Sequence, residues 1–273
     1  MGQDILPPDK MVTAIEENII TTYCTLSHMP GATIHSESDM VSVITGVPHP
    51  IMNNLLRARF DEPAIDEKIK NALEPFRFRS LPMVWWVGPS SRPSDLGARL
   101  VQEGLRHDSD APGMALDIAL LNEEYPVPGG VKIQFIEDRD LLKTCITLFC
   151  EAFRLPEFIG LAFYSFFFML GFKTTTPWRN YIAFQEGKPV GISSMSLCNG
   201  IAGIWNVGII PEARRHGIGT LLTAIPLQEA RRLGYRIAIL TSTPVGRSVY
   251  ERMGFREYCS FSLYVLEPPS PPS

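Results

Sequence analysis

The chain has 273 residues, of which 45% are hydrophobic and 20% are charged, and its formal net charge is −4 at pH 7. These proportions are typical of a folded protein with enough apolar material for a core, in one large domain or two of ordinary size. The negative charge disfavours nucleic acid as a partner, because nucleic-acid-binding surfaces are usually basic. The five cysteines lack metal-ligand spacing, so we expect no metal site and a reducing, cytoplasmic environment.

The sequence also disfavours contact with a membrane. Its most apolar run, at residues 158–172, is shorter than the roughly 20 residues that a membrane-spanning helix needs. The first residues, MGQDILPPDK, lack the basic and then apolar layout of a signal peptide. We therefore expect a cytoplasmic protein that does not contact a membrane.

A break near residues 122–130 indicates two domains. Prolines, glycines and acidic residues interrupt the apolar periodicity there, which predicts a linker. Without gaps, residues 89–100 align with residues 211–222, so that a proline, an arginine, a glycine and a leucine coincide. We infer two related halves. The predicted division is residues 1–126, residues 131–268 and a flexible tail at residues 269–273.

The second half alternates between helix and strand patterns. Tight polar turns at residues 186–188 and 199–200 predict an antiparallel meander. A helical crossover joins the strands at residues 201–210 and 236–240, which predicts that these two strands are parallel. The expected fold class is α/β (α+β), with a mixed, mostly antiparallel sheet flanked by helices. The predicted strands are residues 131–136, 178–185, 189–197, 201–210, 236–240 and 255–265, and the predicted helices are residues 137–154, 156–170, 217–234 and 244–253.

The helix at residues 156–170 is unusually rich in aromatic residues. They surround the predicted helix instead of forming a stripe, so both of its sides should be covered. Two interpretations stay open: the rings pack in the core, or some of them line a pocket for an apolar ligand.

A basic, glycine-rich turn, PEARRHGIGT at residues 211–220, leads into the helix that begins at Gly217. Because Gly217 and Gly219 have no side chains, an anion can approach the backbone there. The N–H groups and the dipole of the helix start then favour the anion. A pyrophosphate fits this arrangement. The side chains that can add donors are those of Arg214, Arg215, His216 and Thr220.

The aligned segment of the first half lacks these features. Asp95 stands where the second half has Gly217, and Pro93 stands where it has Arg215. A carboxylate repels a pyrophosphate, and proline has no N–H group to donate. We therefore expect the first half not to bind the anion.

The second half has a characteristic order of elements: a strand, the basic glycine-rich turn, a helix, a strand and a helix. The motif Tyr-x-x-x-Gly-Phe follows at residues 250–255. This order, across residues 131–266, resembles the GNAT acyltransferase superfamily. The resemblance implies acetyl-CoA as co-substrate, with its pyrophosphate on the turn and its pantetheine arm along the preceding strand. It also implies two GNAT-like halves in tandem, the first one degenerate. The cofactor-binding residues implied are Val207, Gly208, Ile209, Arg214, Arg215, His216, Gly217, Ile218, Gly219 and Thr220.

The resemblance also implies catalytic roles. Tyr250 would protonate the departing thiolate of coenzyme A, because a phenol with a pKa of ~10 is protonated at neutral pH. Family members often have asparagine and alanine where this chain has Thr243 and Gly246, so the site departs from the family there. No residue of the sequence stands out as a general base. We hypothesise a water relay through Asn206 or Ser196.

The function expected from this resemblance is N-acyl transfer, from acetyl-CoA to a primary amine of a small molecule, by direct attack in a ternary complex. Two alternatives stay open. A non-catalytic sensor of acetyl-CoA would keep the basic turn without needing Tyr250. A GNAT-fold transferase that uses another acyl carrier, such as aminoacyl-tRNA, is disfavoured by the negative net charge. The sequence leaves the acceptor, the acyl length and the oligomeric state open.

Overall fold

The computed structural model describes residues 6–61, 63–173 and 175–268. The predicted flexible tail at residues 269–273 lies outside this part of the chain. The helices are α1 (Pro8–Cys24), α2 (Ile65–Phe78), α3 (Leu96–Gln102), α4 (Arg139–Phe153), α5 (Glu157–Leu170), α6 (Ile218–Arg232) and α7 (Pro244–Arg252). The strands are β1 (Thr33–Ser36), β2 (Val41–Ile44), β3 (Asn53–Leu56), β4 (Met83–Val87), β5 (Arg106–Asp117), β6 (Val131–Phe135), β7 (Trp178–Gln185), β8 (Lys188–Cys198), β9 (Ile201–Ile209), β10 (Ile237–Thr241) and β11 (Arg256–Leu266).

The chain forms two compact units, neither of which is continuous in sequence. Among the described residues, unit 1 comprises the chain up to residue 18 and from residue 113 to 258. Unit 2 comprises residues 19–112 and the chain from residue 259 onwards, again as far as it is described. The predicted division at residues 126–131 concerns the halves of the sequence, and it stays a prediction.

Unit 1 contains a six-stranded sheet in the order β5–β10–β9–β8–β7–β6, in which β5 takes part with residues 113–117. Neighbouring strands are antiparallel except for β9 and β10, which are parallel. This confirms the mixed, mostly antiparallel sheet and the parallel pair joined by a helical crossover. The strand and helix bounds of the second half agree with the predicted ones to within two residues.

The core of unit 1 lies between α6 and the sheet. The side chains of α6 that face the sheet recur at helical spacing, as expected for a helix with one buried face. They include Ile218, Leu221, Leu222, Leu227 and Ala230. They pack with residues of β8, β9 and β10 in one cluster, which fixes the start of α6 relative to the end of β9.

Helix α5 differs from the prediction. Phe166 and Phe167 are buried and contact the ring of Trp178, with centroid distances of 5.9 and 5.7 Å. The opposite face stays open, because Leu161 and Met169 are 61% and 54% exposed. The expectation that both sides of this helix are covered was therefore wrong. Apolar residues all round a helix predict two-sided burial, but only one side finds a partner in the described chain.

Unit 2 repeats the strand arrangement of unit 1. Its sheet has the order β1–β2–β3–β4–β11, and its strand pairs are antiparallel except for β3 and β4. In unit 1 the corresponding series is β7–β8–β9–β10–β5, again with one parallel pair. Each unit takes its last strand from the other half of the sequence: β11 in unit 2, and β5 in unit 1.

This repeat corrects the gapless alignment of the two halves. The parallel pairs are β3–α2–β4 and β9–α6–β10, so the counterpart of α6 is α2, and α3 corresponds to α7. Both α3 and α7 follow the second strand of a parallel pair, and the bonds that end them, from Leu105 N to Leu100 O and from Phe255 N to Tyr250 O at 3.0 Å, align Leu100 with Tyr250. Asp95 is therefore not the counterpart of Gly217. The segment that corresponds to the basic turn is residues 57–64, between β3 and α2.

Candidate active site

The parallel strands of unit 1 separate part-way along their length. β9 pairs with β10 only where residues 201–203 lie opposite residues 237–239. β9 then continues to Ile209 along its other neighbour, β8. Ile210 N donates to Val190 O of β8 at 3.0 Å, so the carbonyl of Ile209, in the same peptide, points away from β8. The side of β9 that faces away from β8 beyond residue 203 is called the β9–β10 gap below.

A β-bulge lies in β9 beside this gap. The pairing shifts between Ser194, which lies opposite Trp205, and Ile192, which lies opposite Gly208. Asn206 lies within the shift and has a φ of +54°. Asparagine is among the few residues that adopt this left-handed conformation readily, and bulges of this kind redirect backbone groups and side chains.

The bulge is connected to a polar network that the sequence did not single out. Asn206 Nδ2 donates to Ser194 Oγ at 3.3 Å, and Ser194 Oγ donates to Asn180 Oδ1 at 2.7 Å. Ser194 and Asn180 are buried. Polar residues inside strands that are otherwise apolar were the signal available in the sequence. Beside this network, Trp205 Nε1 donates to Ser196 Oγ at 2.8 Å.

The basic turn places an uncapped helix start next to the end of β9. Gly217 is the N-cap of α6 with a φ of +81°, and no side chain caps the helix. Within the described residues, the N–H groups of Ile218, Gly219 and Thr220 have no hydrogen-bond partner. Free N–H groups and the positive end of the helix dipole together make an anion site.

Glycine is favoured at position 217 by its backbone conformation and not by crowding from other residues. A side chain at Gly217 would meet nothing closer than Pro128 Cγ, at 3.9 Å, but its positive φ is unfavourable for other residues. Arg215 also has a positive φ, of +65°, without being glycine. Strained conformations of this kind are concentrated at functional sites.

The basic side chains of the turn differ in their contacts, although Arg214, Arg215 and His216 are all exposed. Arg214 folds back onto the main chain: its Nε donates to Ile209 O at 2.9 Å, and its Nη2 donates to Ala152 O at 3.4 Å. The sequence grouped these three side chains together as donors to an anion, and that shared role stays a prediction.

Two close approaches fix the surroundings of the strand end. A Cβ on Gly219 would lie 3.2 Å from Ile209 Cδ1, so α6 packs tightly on β9. A Cβ on Gly208 would lie 2.7 Å from Phe153 Cε2, closer than real contacts allow. The C-terminal end of α4, with Phe153, therefore lies directly against β9 beside the bulge.

Tyr250 lies on α7, where glycine makes room for it. Thr243 caps this helix, since its Oγ1 accepts from Gly246 N at 3.2 Å. A Cβ on Gly246 would lie only 3.0 Å from Tyr250 Cε2. Burial raises the pKa of Tyr250 to about 12, so the phenol is protonated at neutral pH. Its ring packs against the same core cluster as Val207 and Ile209.

Two features are absent from the described part of the chain. No group of three or more histidine, cysteine, aspartate or glutamate residues is arranged to hold a metal ion there. None of its helices is long and apolar enough to span a bilayer.

Comparison with known proteins finds a family match within the second half of the chain. Residues 142–255 match the model of the Acetyltransferase (GNAT) family. The chain contains a GNAT domain. The match runs from α4 to the phenylalanine that follows α7, so it includes the bulge, the basic turn and Tyr250. The resemblance found in the sequence is confirmed, whereas the roles of single residues stay predictions.

Solved structures show the same fold over almost the whole chain. A GCN5-related N-acetyltransferase from Kribbella flavida has a TM-score of 0.69 at 16% identity, covering 94% of this chain and 96% of its own. Another from Sphaerobacter thermophilus has a TM-score of 0.66 at 17% identity, covering 98% and 96%.

A tandem GNAT protein from the clavulanic acid biosynthesis pathway has a TM-score of 0.63 at 16% identity, with 97% of each chain covered. Identities this low show the fold alone. No curated protein matches the sequence.

Proposed function

We propose that the chain is an acyl-CoA-dependent N-acyltransferase that transfers an acetyl group from acetyl-CoA to a primary amine of a small molecule. The observation that carries this proposal is the junction of the β9–β10 gap with the uncapped start of α6. A strand edge with open main-chain groups suits an amide-bearing arm, and a helix start with free N–H groups suits a pyrophosphate. The match to the GNAT family supports this interpretation of the two features together.

The residues present fit acetyl-CoA. The N–H groups of Ile218, Gly219 and Thr220 would hold the pyrophosphate, with Arg215 as an exposed cation beside them. Main-chain groups at residues 207–209, other than the Ile209 carbonyl that accepts from Arg214 Nε, would bind the pantetheine arm. When bound, acetyl-CoA supplies an acyl group that is activated as a thioester.

The same segment can promote the reaction. N–H groups at the bulge, around Val207, can donate to the thioester oxygen, which stabilises the negative charge that develops when the amine attacks. Tyr250 then donates its phenolic proton to the departing sulfur. Its raised pKa keeps that proton in place at neutral pH.

The proton of the attacking amine needs another path. Asn206, Ser194 and Asn180 form one hydrogen-bonded chain at the bulge. None of these side chains ionises near neutral pH, so they can order water but cannot hold the proton themselves. We propose a water relay that starts at Asn206.

This neutral network also supports a second candidate function. A protein that only senses acetyl-CoA needs the gap and the helix start but no path for a proton. Under that alternative, acetyl-CoA binds and no amine is acetylated.

The proposal extends to the first half of the chain and to its location. Unit 2 has the fold of a GNAT half but serves a structural role without its own coenzyme A, so the two halves form a tandem in which one is degenerate. We place the protein in the cytoplasm, where acetyl-CoA is available, and we expect no nucleic acid among its partners.

Two assays on the wild-type chain test the proposal. Titration calorimetry with acetyl-CoA measures binding, and a panel of primary amines, followed by the release of free thiol, measures transfer. Binding together with amine-dependent thiol release supports the enzyme. Binding without thiol release for any amine supports the sensor, and the absence of binding contradicts both.

A further inference from the structure

We infer that Arg214 is a positioning residue that holds the end of β9 against α4, and that Arg215 alone supplies the side-chain charge for the pyrophosphate. This inference rests on the proposed function, because it assigns different roles to two residues of the same proposed site. It departs from the sequence-based expectation that both arginines contact the anion.

The first step concerns the carbonyl of Ile209. This carbonyl points away from β8, on the side of the β9–β10 gap, as the hydrogen bond from Ile210 N to Val190 O requires. Arg214 Nε donates to it at 2.9 Å, so a main-chain acceptor at the outer end of the gap is already occupied. An arm that pairs with β9 must therefore find its partners further along the strand, towards Val207. Arg214 thus sets the point on β9 at which this pairing ends.

The second step concerns α4. The last carbonyls of a helix have no partner within the helix, and a cation near them is favourable. Arg214 Nη2 reaches one of them, Ala152 O, at 3.4 Å. Both ends of one planar guanidinium thus join the end of α4 to the end of β9. The next residue of α4, Phe153, lies against Gly208, so this bridge also fixes a ring beside the bulge.

Arg215 has none of these contacts. Its side chain is exposed, as that of Arg214 is, but among the described residues no hydrogen bond or ion pair holds it. A cation at a helix start is unfavourable unless an anion joins it. The backbone is left-handed at Arg215, with a φ of +65°, but extended at Arg214, with a φ of −71°.

Two fragments of acetyl-CoA separate the two roles. S-acetylpantetheine carries the arm without the pyrophosphate, and ADP carries the pyrophosphate without the arm. Titration calorimetry with each fragment and with acetyl-CoA measures the dissociation constants of the wild type, Arg214→Gln and Arg215→Gln. Thermal unfolding checks that each variant is folded.

We expect Arg214→Gln to weaken the binding of S-acetylpantetheine and of acetyl-CoA by a similar factor, about tenfold. The dissociation constant of ADP should stay within about twofold of the wild-type value. Arg215→Gln should do the reverse: it should weaken the binding of ADP and acetyl-CoA about tenfold and leave the affinity for S-acetylpantetheine unchanged. General destabilisation would weaken both fragments, so it cannot produce this crossed pattern.

Arg214→Lys keeps the charge but not the fork that reaches two carbonyls. It should weaken the binding of S-acetylpantetheine as Arg214→Gln does. If the glutamine variant does not fold, Arg214→Lys replaces it in the experiment. The inference is overturned if Arg214→Gln weakens ADP and spares S-acetylpantetheine, if it changes neither, or if Arg214→Lys restores all three ligands. In those cases the proposed function stands as long as the wild type binds acetyl-CoA. A wild type that binds none of the ligands ends both.

Discussion

The segment after β3 in unit 2 and the segment after β9 in unit 1 occupy the same place in the same topology, yet one is closed and the other is open. In unit 2 the chain beyond β3 rejoins the segment beyond β4. Arg92 N donates to Ala58 O at 2.8 Å, and Phe60 N donates to Arg92 O at 3.1 Å. In unit 1 the corresponding strands stop pairing at residues 203 and 239. Main-chain groups that unit 1 leaves open are thus used within the protein in unit 2.

The helix starts differ in the same sense. The first turn of α2 carries the acidic residues Asp66 and Glu67, whereas that of α6 has no acidic residue and follows a basic turn. Carboxylates at a helix start neutralise the dipole within the protein, and basic residues there leave it for an external anion. Topology alone therefore does not make the proposed coenzyme A site. The two halves differ in the turn that precedes the helix between the parallel strands, and the proposal depends on that turn.

The strongest test of this contrast gives α6 an acidic start. Gly217→Asp places a carboxylate at the helix N-cap, at a φ of +81°. We expect acetyl-CoA to bind more than about a hundredfold more weakly, because the carboxylate repels the pyrophosphate and competes for the free N–H groups. Titration calorimetry measures this.

Two control variants separate charge from strain and from position. Gly217→Ala carries the backbone strain without the charge, so it should lose much less affinity. Ala64→Asp adds the same carboxylate before α2 and should leave acetyl-CoA binding unchanged. If Gly217→Asp binds acetyl-CoA normally, the basic turn is not the site.

The next test concerns the two helices that follow the second parallel strand. Tyr250 of α7 corresponds to Leu100 of α3, which is fully buried. Tyr250→Phe keeps the ring and removes the proton donor, so kcat should fall about 10- to 100-fold while acetyl-CoA affinity stays the same. Steady-state thiol release with the best amine measures this, with Tyr235→Phe as a control on another partly buried tyrosine.

The pH dependence of the rate gives a second check on the role of Tyr250. A buried phenol with its pKa raised to about 12 stays almost fully protonated up to about pH 10. We therefore expect ionisation of Tyr250 not to lower the wild-type rate between pH 7 and 10. Any fall in rate in that range should also occur in Tyr250→Phe. A loss in that range that depends on Tyr250 would show a lower pKa than burial gives.

The two halves also show what the sequence can and cannot predict. Apolar periodicity and turn residues predicted the elements of unit 1 closely, because these signals are local. The alignment of the halves failed because a proline, an arginine and a glycine recur after β4 and after β9, strands that are not equivalent. The matching residues were Gly104 and Gly254, each with a positive φ after a helix, but Gly234 after α6 has the same φ as Gly104, so only the strand order identifies the pair.

The candidate site shows the same limit at the level of side chains. The glycines of the turn were predictable, since a helix start that approaches an anion needs them. The fold-back of Arg214 and the contact between Asn206 and Ser194 were not, because each depends on how separate elements pack. Which main-chain groups stay open depends on strand register, which distant residues set.

Hydrogen exchange compares the open and closed turns directly. The amides of Ile218, Gly219 and Thr220 should exchange rapidly in the free protein and about tenfold or more slowly with saturating acetyl-CoA. The amides of Phe60 and Arg92 are already paired and should not respond. Slowing at Phe60 and Arg92 as well, together with two molecules of acetyl-CoA bound per chain, would mean that unit 2 is a second site.

The smallest expected effect concerns the space beside Tyr250. Where α3 has two buried leucines, Leu96 and Leu100, α7 has Gly246 and Tyr250. A methyl group at position 246 would lie 3.0 Å from Tyr250 Cε2, so the ring would have to shift by a few tenths of an ångström. For Gly246→Ala we expect kcat to fall only about threefold, because proton donation depends on the position of the phenol.

The affinity of Gly246→Ala for acetyl-CoA should stay within about twofold of the wild type, and the helix itself gains from alanine. Combining the substitution with Tyr250→Phe sharpens the test: without the phenol, the methyl group should have no further effect on kcat. If Gly246→Ala slows Tyr250→Phe just as much as it slows the wild type, then it does not act through the phenol. The glycine would then matter only for the packing of α7.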